Sequence, residues 1–195
     1  MARYFRFFPQ QSYQVANSSF EMQRQITDIT LRTRIIDNIG ADDPYLYLPY
    51  TVKEGERAED VANFYYGSPD YVWLVWFSND IVDPYNEWPR SQPDLKKFII
   101  KKYESLSGSQ ETLAWTQNTL ITENIKHYKK SDGTRASPDS YTLKATFDPD
   151  YIGGEWSPVR FYDYEFEHNE EKRDIRLVNE SYRQLAQDNL RDLLQ

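Results

Sequence analysis

The chain has 195 residues, a net charge of −8 and no cysteine, and its length suits one domain with a core or one small module with extensions. The acidic balance disfavours a nucleic-acid partner, and the lack of cysteine excludes disulfides, thiolate metal sites and cysteine nucleophiles. No stretch approaches the ~20 apolar residues of a membrane span, and the N-terminus lacks a signal-peptide core, so we expect a soluble protein without a membrane partner.

The first segment, 1–44, is predicted to be an N-terminal arm followed by a strand. Residues 1–25 should be extended, because Pro9 and a run of Gln and Ser do not favour a long helix. The sequence DITLRTRIID at 28–37 alternates apolar and polar residues, which is typical of a strand with one wet face. A turn or loop is predicted at 38–44.

The second segment, 45–90, combines a strand with two helices. The strand is predicted over 45–52, with Pro49 at a sheet edge. A first helix follows, because four apolar residues recur at helical spacing: Ala58, Val61, Ala62 and Tyr65. Gly67 is predicted to end this helix in the left-handed conformation.

A second helix is predicted from Ser68, which is placed to cap it ahead of Pro69. Its sequence YVWLVWF is apolar without a gap, and Asn79 is a plausible end. Because a helix that is apolar all round must be covered all round, we expect its second face to contact either the rest of this chain or another protein. The connector at 80–89 is predicted to be extended.

The third segment, 91–195, is predicted to hold a helix, a β-hairpin region and a C-terminal helix. The first helix, 91–106, has an apolar stripe of Leu95, Phe98, Ile99, Tyr103 and Leu106. Between 111 and 166 the pattern is β-like. Strands are predicted at TLITENIKHY, YTLKATF and VRFYDYEFE, with a hairpin loop at SDGTRASPDS. The tail forms an amphipathic helix carrying Tyr182, Leu185, Ala186, Leu190 and Leu193. The predicted fold class is α+β.

The sequence offers little for catalysis or metal binding. His127 and His168 are the only histidines and have no metal-ligand spacing, and neither a nucleophile elbow nor a phosphate-binding glycine loop is present. We therefore predict no enzyme activity, no cofactor and no metal. The cations of KKSDGTR at 129–135 are interpreted as a solvated turn.

The second segment resembles the LysM module, whose framework it matches at Tyr50, Val52, Gly55, Val61, Ala62, Tyr66, Gly67, Asn79, Asp83 and Pro84. The resemblance implies a β-α-α-β fold with both helices on one side of a two-stranded sheet. LysM members that bind N-acetylglucosamine polymers use a small hydroxyl residue in the first turn. Here Glu56 and Arg57 occupy that turn, and the usual second strand does not follow, so both departures argue against glycan binding.

The whole chain resembles the baseplate wedge protein 53 family of T-even-like contractile-tail phages. The resemblance rests on YFRFFP, DITLRTRI, GSPDYVWLVWFSNDIVDPYNEWPRS and YDYEFEHNEEKRDIRLV. It implies a non-catalytic structural subunit that clamps neighbouring wedges of a six-fold baseplate. The implied partners are other wedge subunits, including the lysozyme-like sheath-attachment wedge protein and the large wedge scaffold. The implied location is the virion tail baseplate, with the host cytoplasm during assembly.

Two functions follow as hypotheses: a baseplate wedge subunit, or alternatively a peptidoglycan- or chitin-binding LysM module of a cell-wall-associated protein. The aromatic content of 16% suits protein interfaces. The residues predicted to form such an interface are Trp73, Trp76, Phe77, Tyr85, Trp88, Tyr182, Leu185 and Leu190. The alternative for the helix aromatics is internal core, and for Trp76 the two interpretations are equally weighted.

Overall fold

A computed structural model describes residues 8–14, 23–27, 45–147 and 156–194. The chain divides into two compact units, Met1–Trp88 with Arg173–Gln195, and Pro89–Lys172. The first contains helices and two two-stranded antiparallel sheets, and the second contains helices and one three-stranded antiparallel sheet, which confirms the α+β class. The boundary between the two units, after Trp88, lies close to the predicted segment boundary at 90. The C-terminal helix, however, belongs to the first unit, so the second unit interrupts the sequence of the first.

One sheet of the first unit pairs strands that are far apart in the sequence. Strand β3 (Tyr47–Thr51) runs antiparallel to strand β7 (Asp174–Val178), with Tyr50 opposite Ile175. The strand predicted over 45–52 is therefore confirmed. The second strand expected of a β-α-α-β arrangement does not follow the helices in sequence; it is supplied by β7.

Pro49 fits in β3 because of its register. It lies opposite Arg176, whose backbone N–H donates to the Asn79 side chain at 2.8 Å and not to β3. The pair is therefore a non-hydrogen-bonded one, so the nitrogen of Pro49 faces away from β7 and breaks no ladder bond.

Helix α1 (Ala58–Tyr66) covers one side of the core. It ends at Gly67, whose φ of 74° is the left-handed value predicted for it. Ala58, Val61 and Ala62 are buried as predicted, but the fourth buried position is Tyr66, while Tyr65 is only partly covered. The Tyr66 hydroxyl donates to the Val178 carbonyl at 2.9 Å, which ties α1 to β7.

Helix α2 (Val72–Ser78) follows a 3-10 turn at Pro69–Tyr71. Ser68 caps this turn by accepting the Asp70 N–H at 3.2 Å, and α2 ends before Asn79. The predicted helix and its end are thus confirmed, whereas its first turn, from Pro69 to Tyr71, is 3-10 and the α-helix begins only at Val72. Its central residues are covered by the chain itself, since α2 packs against β7 and Trp73, Leu74 and Val75 lie in the core, whereas Trp76 and Phe77 are only partly buried.

Helix α8 (Arg183–Leu194) completes this core and confirms the predicted C-terminal helix. The core combines residues of both chain ends: Phe8, Leu46, Val52, Ala58, Val61, Ala62, Tyr66, Trp73, Leu74, Val75, Ile175, Leu177, Val178, Ala186 and Leu190. Among the described residues, the core of the first unit is therefore built from both ends of the chain.

The N-terminal arm forms a hairpin where it is described. Strand β1 (Gln10–Gln14) pairs antiparallel with strand β2 (Gln23–Thr27), so the predicted extended backbone is present but paired. The strand predicted over 28–37 and the turn at 38–44 lie outside the described residues. Within the described ranges, no helix combines the length and apolar character that crossing a bilayer requires.

The second unit is built on helix α4 (Gln92–Ser107), whose start is capped by Ser91. Leu95, Ile99 and Tyr103 are buried as predicted. Leu106 is wrongly placed in that stripe because it is 57% exposed. The buried end position is taken by Ser107, whose hydroxyl is hydrogen-bonded to the Thr112 hydroxyl at 2.8 Å.

The predicted β-rich middle is only partly correct. A strand prediction is confirmed at β4 (Ile125–Lys129), which lies between β5 (Arg135–Ala136) and β6 (Ser157–Arg160) in a three-stranded sheet. In the described part of this region three helices also occur: α5 (Thr112–Gln117), α6 (Pro138–Phe147) and α7 (Phe161–Glu171). The return strand YTLKATF is therefore wrong, and VRFYDYEFE is strand only up to Arg160.

His127 on β4 is expected to make the stability of the second unit depend on pH. Burial, followed by the nearby Arg135, lowers the pKa of His127, while Glu167 opposes the shift. A lowered folded-state pKa means that protonation favours the unfolded chain. We expect stability to be complete above the ordinary pKa of 6.5 and to fall as the pH drops below it.

Urea midpoints measured across this pH range test the expectation. His127→Gln should reduce the decrease in the urea midpoint at low pH, because the titrating group is gone. His168→Gln is the matched control, since His168 is half exposed beside Glu171. If both substitutions reduced this decrease equally, the pH dependence could not be assigned to His127.

Candidate protein-protein interface

The segment after α2 is a short capped helix and not the predicted extended connector. Helix α3 (Pro84–Glu87) begins after Asp83, whose carboxylate accepts the Tyr85 N–H at 3.1 Å. The Glu87 carboxylate accepts the N–H of Val82 at 2.6 Å and that of Asp83 at 2.9 Å. The connector prediction was wrong because Asp-Pro places a capping residue and a favoured first helical residue side by side.

Residues 82–88, here called the Tyr85 knob, present one aromatic ring outward. Tyr85 is 84% exposed. Asp83 also accepts a hydrogen bond from the Asn86 amide at 2.6 Å, so the polar side chains of the knob bind its own backbone and each other. A segment ordered in this way loses little conformational entropy when a partner binds it. The knob is therefore a locally ordered, exposed surface feature.

Trp88 anchors the knob to the turn between β3 and α1. Its indole N–H donates to the Glu56 carbonyl at 2.9 Å. The Glu56 carboxylate accepts the Tyr50 hydroxyl and the Lys53 N–H, each at 2.9 Å. Burial and this hydrogen bond raise the pKa of Tyr50 to about 12. The turn that resembles a glycan-contacting turn is thus occupied by contacts within the chain.

Asn79 fixes the other end of the segment to β7. Its side-chain amide donates to the Arg176 carbonyl at 2.9 Å and accepts the Arg176 N–H at 2.8 Å. The Ser78 hydroxyl donates to the same carbonyl at 2.9 Å. Asn79 therefore hydrogen-bonds the backbone N–H and carbonyl on the outer edge of β7, as a neighbouring strand would. The Arg176 guanidinium lies 4.8 Å from the centre of the Tyr47 ring.

The family model for base plate wedge protein 53 matches residues 39–189. The chain belongs to the base plate wedge protein 53 family. A relative, the baseplate wedge protein gp53 of Enterobacteria phage T4, is 30% identical over 137 residues, which cover 70% of this chain and 68% of the relative. The chain is accordingly a structural protein of the phage tail baseplate, which confirms the resemblance drawn from the sequence.

In this wedge protein, the residues predicted to form the interface fall into three groups. Trp73 is 1% exposed and Leu190 is 0% exposed, so both are core, and their burial argues against an interface role. Four are partly buried against the same core: Trp76, Phe77, Trp88 and Tyr182. Tyr85 and Leu185 are exposed, Leu185 at 46%, and they stay the strongest interface predictions.

Sequence reasoning missed other exposed apolar side chains of this wedge protein. Phe64 on α1, Tyr45 before β3 and Val82 in the knob are each more than half exposed. For Phe64 a signal existed, since it lies off the buried stripe of an amphipathic helix. In the described part of the chain, no group of three His, Cys, Asp or Glu residues is arranged to hold a metal ion.

Proposed function

We propose that this wedge protein acts without catalysis and clamps neighbouring wedges by surface contacts in which Tyr85 is the central anchor. The partners would be other wedge subunits, including the lysozyme-like sheath-attachment wedge protein and the large wedge scaffold, in a six-fold assembly. The observation that carries the proposal is the Tyr85 knob, which displays an aromatic ring at 84% exposure on a hydrogen-bonded support. Buried aromatic anchors dominate the binding energy of many interfaces.

Leu185 on α8 is proposed as a second contact of the first unit. Its neighbours one turn away, Asp188 and Asn189, are partly covered, whereas Leu185 itself is exposed. An exposed leucine beside a polar stripe suits the rim of an interface better than its centre. We therefore assign Tyr85 the larger contribution.

Tyr85→Ala is expected to weaken binding to a recombinant wedge subunit by about 2 to 4 kcal/mol, a loss of roughly thirtyfold or more. The reason is the loss of one anchor ring with no change to the core. Titration of the labelled protein with the sheath-attachment wedge protein and with the scaffold measures this directly.

The matched control is Leu120→Ala, which removes an apolar side chain that is 92% exposed in the second unit. We expect its affinity to equal that of the unchanged protein. Binding by Tyr85→Ala at full strength to every wedge subunit that binds the unchanged protein would refute the anchor role.

A further inference from the structure

The hairpin of β4 and β5 concentrates positive charge in an acidic chain. Residues 126–135, here called the cationic hairpin, hold Lys126, Lys129, Lys130 and Arg135 against the single acid Asp132, whereas the chain as a whole has a net charge of −8. The turn is well defined, because Gly133 has a φ of 86° and the Lys130 N–H donates to the Thr134 carbonyl at 2.9 Å.

The register of the hairpin places two cations side by side. Lys129 lies directly opposite Arg135, and like charges at such a cross-strand position are destabilising. One carboxylate lies beside the pair: the Glu167 side chain accepts a hydrogen bond from Lys129 at 2.9 Å. Among the residues that the structure describes, these two cations share one hydrogen-bonded acid, so this part of the hairpin retains excess positive charge that does not help it fold.

Aromatic rings hold the other cations in place. The Lys126 ammonium lies 5.8 Å and 5.6 Å from the ring centres of Phe161 and Tyr164, and the Lys130 ammonium lies 4.9 Å from that of Trp156. Cations ordered over aromatic faces lose less entropy on binding than mobile lysines do. The hairpin is therefore a pre-organised cationic surface and not only the solvated turn predicted from the sequence.

We propose that the cationic hairpin is a docking surface for a short acidic segment of a neighbouring wedge protein. Charge complementarity selects carboxylates, and a five-residue strand such as β4 spans only about 17 Å, which suits a short peptide. An extended nucleic acid would need a longer basic stripe than one hairpin on an acidic chain provides. This inference rests on the proposed function as a subunit held by protein contacts.

Poly-L-glutamate titrated into the full-length protein tests the surface directly, with backbone amide shifts as the readout. We expect shifts confined to the hairpin and a dissociation constant that rises with salt. Arg135→Glu should weaken this binding about tenfold. The same substitution places an acid opposite Lys129, so it should also raise the melting temperature by about 1 to 3 °C.

Lys96→Glu on α4 is the matched control, because it changes an exposed lysine by the same charge and should leave affinity unchanged. Equal losses in both variants, or shifts spread over other surfaces, would overturn the proposal. So would an oligothymidylate that binds the same amides as tightly as poly-L-glutamate. Because poly-L-glutamate binding does not require Tyr85, Tyr85→Ala should leave it unchanged, and failure of the Tyr85 anchor would leave this result intact.

Discussion

Deletion of Arg173–Gln195 is expected to abolish folding of the first unit. The deleted segment contains β7, the partner of β3, and α8. It also removes four large aliphatic side chains from the shared core: Ile175, Leu177, Val178 and Leu190. Their burial contributes about 6 to 12 kcal/mol, which is comparable to the whole stability of an ordinary domain.

The deletion also removes the hydrogen-bond partners of polar groups in the remaining chain. The hydroxyl of Tyr66 loses the Val178 carbonyl, and the Asn79 amide loses both backbone groups of Arg176. Buried polar groups left without partners add a further penalty. We therefore expect α1 and α2 to lose protection against amide hydrogen exchange, while α4, which has its own core, keeps it.

A shorter deletion, ending the chain after Arg191, is the control for this experiment. It removes exposed Leu193 but keeps buried Leu190, so we expect nearly unchanged exchange. Leu190→Ala provides an intermediate step and should lower the unfolding free energy by about 2 to 5 kcal/mol. Full protection of α1 and α2 in the protein lacking Arg173–Gln195 would contradict the shared core.

Glu165→Ala is expected to lower the unfolding free energy of the second unit by about 2 to 4 kcal/mol. Glu165 is buried on α7 and accepts the Tyr103 hydroxyl at 2.6 Å and the Lys102 ammonium at 2.7 Å. Burial and this carboxylate raise the pKa of Tyr103. Truncation leaves the Tyr103 hydroxyl without its acceptor, whereas Lys102 is 43% exposed and regains water.

Denaturant unfolding of four further variants identifies the cause: Glu165→Gln, Tyr103→Phe, Tyr103→Phe combined with Glu165→Ala, and Glu104→Ala. Glu165→Gln keeps an acceptor and should lose less than Glu165→Ala. In a Tyr103→Phe background, the loss at Glu165 should shrink because its main partner is gone. Glu104→Ala, at an exposed position of α4, should change stability by less than about 0.5 kcal/mol. A loss at Glu165 that is the same with Tyr103 or Phe at position 103 would show that this hydrogen bond is not responsible.

In the first unit, local sequence signals predicted the structure well where the signal allowed only one structural interpretation. The left-handed Gly67, the capping Ser68 and the end of α2 before Asn79 were each predicted and each found. These features depend on the conformation of one residue and its near neighbours, so they need no knowledge of the tertiary fold.

The pairing of β3 with β7 could not be predicted in this way. Thr51 and its partner Asp174 are 123 residues apart, and the alternation of DIRLV does not indicate which strand it will pair with.

The strand predictions for the middle of the chain failed for a different reason. Apolar and polar residues alternate in VRFYDYEFE, yet most of it is helical. Glu165 in this stretch and Asn169 just after it are one helical turn apart and both are buried with polar partners, a tertiary environment that alternation does not reveal.

The residues predicted from the sequence to form an interface differ widely in exposure. Aromatic content alone cannot separate Trp73, which fills the core, from Tyr85, which projects from it. The distinction came from the caps of α3, because Asp83 and Glu87 turn the chain so that one ring points to solvent. The central claim is therefore that a core built from both chain ends supports an aromatic contact to another wedge subunit.

Site-specific photocrosslinking in assembled virions tests that claim most directly. Tyr85→p-benzoylphenylalanine places a crosslinker in the knob, and Leu120→p-benzoylphenylalanine places one at a comparably exposed site of the second unit. We predict that the crosslinker at position 85 captures a different baseplate wedge protein, identified by mass spectrometry, and does so more efficiently than the one at position 120. Virions in which position 120 crosslinks and position 85 does not would contradict the account.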